Sequence, residues 1–195
     1  MRHFERTLPA GYAPVYTVDA KKRSMVVLLN LAALLLFAAV AIPAYCIIRP
    51  LHFFMEYRLT RNLLLIGALF LYIVLHELIH GAAYKALTGE KLTFGLSLTV
   101  AYCGVPHIYV YRRAAMIALL APFATFTVVF LVLALLLQNP WDRLYAWILF
   151  AGHVSGCVGD LYDAGLYLFR FRDPETLMQD TGPKQVFYQK GPVGD

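Results

Sequence analysis

Residues 73–81 read Ile73-Val74-Leu75-His76-Glu77-Leu78-Ile79-His80-Gly81, a His-Glu-x-x-His pattern set inside a stretch apolar enough to cross a bilayer. An ionisable group in hydrocarbon costs at least about 2 kcal/mol on insertion scales, so a cluster of them there calls for a reason. At 3.6 residues per turn, His76 and His80 stand one turn apart on the same helical face, where both imidazoles reach one metal ion. Glu77 stands about 100° round the helix, placed to act on water beside the metal rather than to bind the metal. The spacing therefore predicts a zinc site on a helix, with Glu77 as its base.

The chain has 195 residues, of which 60% are hydrophobic and 15% charged, with a mean hydropathy of +0.62. That is too apolar for an ordinary soluble domain and predicts an integral membrane protein. Four runs, 24–48, 63–87, 114–137 and 144–169, are each long enough to cross a hydrocarbon core of about 30 Å. The expected fold class is an α-helical, four-transmembrane-helix bundle in the lipid bilayer. The net charge of +5 points to orientation rather than to nucleic acid. Lys and Arg gather before the first run, between the second and third, and after the fourth, while only Arg49, Arg58, Arg61 and Arg143 fall on the opposite side. Both termini are thus expected in the cytoplasm. A secretory signal would also begin with Lys21-Lys22-Arg23, but the long polar lead and the continuation of the run to Ile48 favour a retained anchor. Cys46, Cys103 and Cys157 are scattered and form no Cys-x-x-Cys pair, so no disulfide framework is expected.

Outside the spans the pattern changes. Residues 1–23 and 170–195 are polar and punctuated by Pro and Gly, and read as a flexible or surface-lying lead and a soluble tail of little fixed structure, which Phe187 and Tyr188 could dock back at the interface, around a membrane domain over 24–169. Residues 49–62 mix Leu51, Phe53 and Phe54 with charged residues and read as an interfacial amphipathic loop. From Leu92 to Tyr102 apolar and small residues alternate strictly, which predicts a strand; Gly104-Val105-Pro106 reads as a turn and 107–111 as the returning strand. This β-hairpin, over about 91–111, lies between the second and third spans. One edge of it could receive an extended peptide, the form in which a peptide bond is open to attack.

Ionisable residues inside the runs occur only in the second and the fourth, where His153, Asp160 and Asp163 lie. At 1.5 Å per residue, His76 and His80 lie about 20 and 25 Å along their run and Asp160 about 24 Å along its own, a common depth. Two His and one carboxylate with an open fourth position make a catalytic zinc site. Asp160 is accordingly the expected third ligand, with Asp163 and His153 as alternatives and the Cys157 thiolate as a further one. On a straight helix His153, Cys157 and Asp160 share a face, and Gly152-x-x-x-Gly156 is the spacing that lets membrane helices approach closely. His153, about 10 Å from Asp160 along the run, suits an interhelical hydrogen bond or a substrate contact, and Asp163 a role in orienting a ligand.

At His76-Glu77-Leu78-Ile79-His80-Gly81, the 92–102 strand, Ala121-Pro122-Phe123 and Gly159-Asp160-Leu161-Tyr162-Asp163, the chain resembles the family described as putative zincin peptidases. It is similar, more distantly, to intramembrane metallopeptidases of the site-2 protease type, although there the Asp is usually followed by Gly and here Leu161 follows Asp160. Carried over by position, the resemblance implies zinc held by His76, His80 and Asp160, Glu77 as catalytic base, and a membrane-protein or peptide substrate. The rival readings are a non-catalytic site that binds or conducts metal, and an inactive scaffold that binds membrane segments through the hairpin.

Overall fold

The computed structural model describes residues 2–48, 59–96 and 101–191. Most of them are helical: α1 (Arg23–Ile48), α2 (Leu59–Thr88), α3 (Arg112–Leu136), α4 (Pro140–Gly156) and α5 (Val158–Phe169). Leu, Ala and Ile supply helix propensity without competing side-chain hydrogen bonds. Mean hydropathies of 2.8, 2.1 and 2.6 make α1, α2 and α3 long and apolar enough to cross a membrane. No residue in the most apolar window of α1 is fully buried within the chain, so this helix leaves much of its apolar surface uncovered by the rest of the protein.

The run 144–169, expected as one straight span, is two helices, a bent pair that together is long and apolar enough to count as one span. α4 begins cleanly: Asn139 caps it by accepting from the backbone N–H groups of Trp141 and Asp142 at 2.9 and 3.4 Å, with Pro140 at its first turn. It ends at Cys157, and α5 leaves at 48° to it. The run Ser155-Gly156-Cys157-Val158-Gly159 places two glycines and a serine round the break, the composition at which helices bend most readily. Hydropathy is continuous across the bend and does not register it.

Contacts divide the chain into two compact units, residues 1–27, 76–122 and 160–195 forming one and 28–75 with 123–159 the other. In the second unit, α2 and α4 approach closely through Gly152, where a Cβ would meet Leu69 at 3.1 Å, and through Gly156, where it would meet the Tyr72 hydroxyl at 3.4 Å. The small-residue spacing seen in the sequence is thus used for close packing.

The first unit is built on a sheet that the sequence did not announce. Strands β1 (Phe4–Glu5), β2 (Tyr12–Asp19), β3 (Thr93–Leu96), β4 (Ala101–Gly104), β5 (Tyr109–Tyr111), β6 (Leu177–Asp180) and β7 (Lys184–Lys190) form two antiparallel sheets. The larger has the order β1-β5-β6-β7-β2, and in it Tyr12 pairs with Lys190 and Asp19 with Lys184. The lead and the tail, expected to be without fixed structure, are therefore strand partners. Their inward residues Val18, Met178 and Phe187 join Val110, Ala114, Ala118 and Tyr167 in one core. Phe187 is fully buried, stacked on Phe171 with ring centroids 5.1 Å apart and angled against Tyr167 at 5.1 Å.

The expected hairpin is also redrawn. The alternating stretch folds back on itself, with Thr93 opposite Gly104 and Leu96 opposite Ala101, while β5 pairs with β6 and β1 in the other sheet. Period two identifies a strand but not where it turns, and residues 97–100 lie outside the described residues. The proposed interfacial loop, at 49–58, lies outside them too, and Leu59–Asn62 belongs to α2. The Tyr102 ring fixes the register of β3 and β4: it lies over Gly95 and Gly182, where a Cβ would overlap it, and Gly182 takes φ +92°, a conformation that favours glycine.

Two measurements check this arrangement. Phe187→Ala should lower unfolding stability in detergent by about 3–5 kcal/mol, the usual cost of emptying a buried phenylalanine site; a loss under about 1 kcal/mol would mean that the tail does not share the core. In β4, burial, followed by the Asp180 and Glu77 carboxylates, pushes the Cys103 thiol up to about 12. Because the thiolate is the reacting form, alkylation of Cys103 at pH 8 should be about 10³-fold slower in the folded than in the unfolded protein, and comparable rates would contradict the burial.

Candidate metal centre

His76 and His80 project from α2 at the spacing of one helical turn, and Asp160 sits in the first turn of α5, three residues past the break at Cys157. The bend thus creates the helix start that carries Asp160. The three side chains converge on one another within the first unit. His76 Nε2 lies 3.2 Å from Asp160 Oδ2, His80 Nε2 lies 3.4 Å from Asp160 Oδ1, and the two Nε2 atoms are 3.1 Å apart. Both histidine side chains are under 10% exposed and that of Asp160 is 18% exposed, which leaves the carboxylate side as the way in.

The donor set fits zinc. Nitrogen and oxygen donors about 2.0–2.1 Å from a tetrahedral ion are about 3.3 Å from each other, and the three separations bracket that value. Orientation fits as well: His80 Nδ1–H donates to the Ala118 carbonyl of α3 at 2.9 Å, which fixes the tautomer and leaves the Nε2 lone pair facing the other donors. Among the described residues these three are the one group of His, Cys, Asp and Glu whose donor atoms meet in this way.

Glu77 follows His76 on α2 and is half-buried. The alternatives for the third ligand go elsewhere. His153 is fully buried in the second unit, with Nδ1 3.0 Å from the Tyr72 hydroxyl, Nε2 3.1 Å from Thr127 Oγ1, and Phe123 stacked on its ring. It is an interhelical hydrogen-bonding residue with both ring nitrogens engaged. Cys157 Sγ lies 3.6 Å from His153 Nδ1 and is buried in the same cluster. Asp163 is buried one turn beyond Asp160, and its Oδ1 has no hydrogen-bond partner among the described residues.

Sequence reasoning missed Asp180 and Tyr84. Tyr84 continues the His76, His80 series by one more turn and donates its hydroxyl to Asp180 Oδ2 at 2.7 Å, both residues being buried. Asp180 Oδ1 accepts from the backbone N–H of Gly182 at 2.8 Å and from Gln185 Nε2 at 3.3 Å, while its carbonyl accepts from the Val105 N–H at 2.9 Å. Burial pushes the Asp180 carboxyl up, and the Gly182 and Tyr84 hydrogen bonds oppose it. These bonds tie the site helix to β6 and to the start of the segment after β4. The i, i+4 repeat from His76 through His80 to Tyr84 was the available signal; its partner, in a polar tail, gave none.

No significant match to the chain is found among curated proteins or among solved structures. A family model described as putative zincin peptidase matches residues 69–173, a stretch that opens before His76 and closes after Asp160. Since that stretch is more than half of the 195 residues, the chain belongs to this family.

Proposed function

We propose that the chain is an integral membrane zinc peptidase that hydrolyses peptide bonds of membrane-associated substrates. The observation that carries this reading is the convergence of His76, His80 and Asp160 at 3.1, 3.2 and 3.4 Å, on helices whose remaining side chains are largely apolar. These three residues are the proposed ligands. Zinc bound there supplies Lewis-acid polarisation of a substrate carbonyl and acidifies the water it holds. Glu77 takes a proton from the attacking water and hands it to the leaving amine. His80, fixed through Ala118, and His76, held by burial, present their donor atoms to the half-buried Asp160 without reorganisation.

Substrate engagement follows from β3. Gly81, directly after His80, lies against the Phe94 and Leu92 side chains, which sets β3 beside the site. Among the described residues β3 pairs with β4 alone, and its other edge can take up an extended segment by strand addition. We place α1, α2, α3 and the α4–α5 pair as spans and both termini in the cytoplasm, where the Lys and Arg bias puts them.

Metal analysis and turnover test the reading together. Purified wild-type protein should carry about one zinc per chain, and Asp160→Ala should lose it; an unchanged zinc content in the variant would remove Asp160 from the site. Glu77→Gln should keep the zinc and lose about 10²–10⁴-fold in peptide hydrolysis, the range a positioned acid–base group supplies. Retained hydrolysis in Glu77→Gln would remove its role as base.

A further inference from the structure

A cavity of about 470 Å³ opens between α1, α3 and α4 in the second unit, lined by Ala39, Pro43, Ile47, Ala134, Arg143 and Trp147 among others. Its walls are largely apolar and include the small side chains of Ala39, Ala44 and Ala134. Arg143 is the one charged residue in the lining. It sits in the first turn of α4 and shares the lining with Ile48, the last residue of α1, and with Leu135, next to the last of α3. From Ile48 back to Ala39 is nine residues, so the lining extends about 13 Å along α1 from that end.

The neighbouring charges leave Arg143 to the cavity. Asp142 pairs with Arg61 at 3.3 Å, and the Arg143 Nε–H donates to the Leu137 carbonyl at 3.0 Å, which holds the guanidinium in place. We propose that this cavity takes an acyl chain of an anionic phospholipid whose phosphate rests on Arg143. Transfer of a chain from bilayer to an apolar groove gains little, because lipid tails are as apolar as the groove. Selectivity therefore comes from the headgroup, and one arginine at a membrane surface favours an anionic over a zwitterionic lipid about fivefold. The inference rests on the membrane placement proposed above and is independent of the metal centre.

The chain has two tryptophans, and Trp147 lines the cavity. With Trp141→Phe as background, Trp147 fluorescence is followed in phosphatidylcholine vesicles containing equal small fractions of acyl-brominated phosphatidylglycerol or acyl-brominated phosphatidylcholine. Phosphatidylglycerol should quench about fivefold more effectively. Arg143→Gln should remove that preference, and Ala39→Phe, which puts a bulky ring in the lining and leaves Arg143 in place, should weaken quenching by either lipid and reduce the preference too. Equal quenching by the two lipids, or a preference that Ala39→Phe leaves unchanged, would overturn the lipid site while leaving the membrane placement intact. No quenching by either lipid would overturn both.

Discussion

Two imidazoles and a carboxylate packed within 3.4 Å of one another, on helices whose other side chains are largely apolar, are the constraint round which the first unit is arranged. Polar groups withdrawn from water cost several kcal/mol unless they find partners, and here each is the partner of the others. One ion at their centre would satisfy all three at once, and removal of any one residue would leave the other two short of a partner. The bend at Cys157 belongs to this constraint: it starts a new helix whose first turn delivers Asp160, whereas a straight continuation of α4 would keep that residue on the face of His153.

The rest of the first unit holds α2 in position for that meeting. Ala118 on α3 fixes one imidazole, and Tyr84 fastens the helix to Asp180, which the backbone of Gly182 also binds. Gly182 in turn admits the Tyr102 ring that sets β3 against β4. A chain of contacts thus runs from the C-terminal hairpin to the strand beside the site. The second unit has its own polar centre, in which His153 joins Tyr72 to Thr127 within a cage of phenylalanines. These bonds join α2, α3 and α4.

What could be read from the residues follows the range of the interactions. The His76, Glu77 and His80 spacing is local and specifies its own geometry, and Asp160 was reachable because charges are so scarce in the apolar runs. The larger sheet was out of reach: β2 meets β7 across the length of the chain, and the tail's Pro, Gly and Lys mask the pairs Leu177–Met178 and Val186–Phe187 that enter the core. The bend between α4 and α5 was hidden by unbroken hydropathy. Within 92–111 the strand pattern was correct and its pairing was not, because the partner of β5 lies some seventy residues further on, in β6.

X-ray absorption at the zinc edge tests the centre most directly, since it reads the atoms round the metal without a substrate. The account predicts a first shell of nitrogen and oxygen at about 2.0–2.2 Å, with the multiple scattering of two imidazoles and no sulfur. A sulfur shell at about 2.3 Å, or a single imidazole, would contradict the assignment of His76, His80 and Asp160 as the ligands.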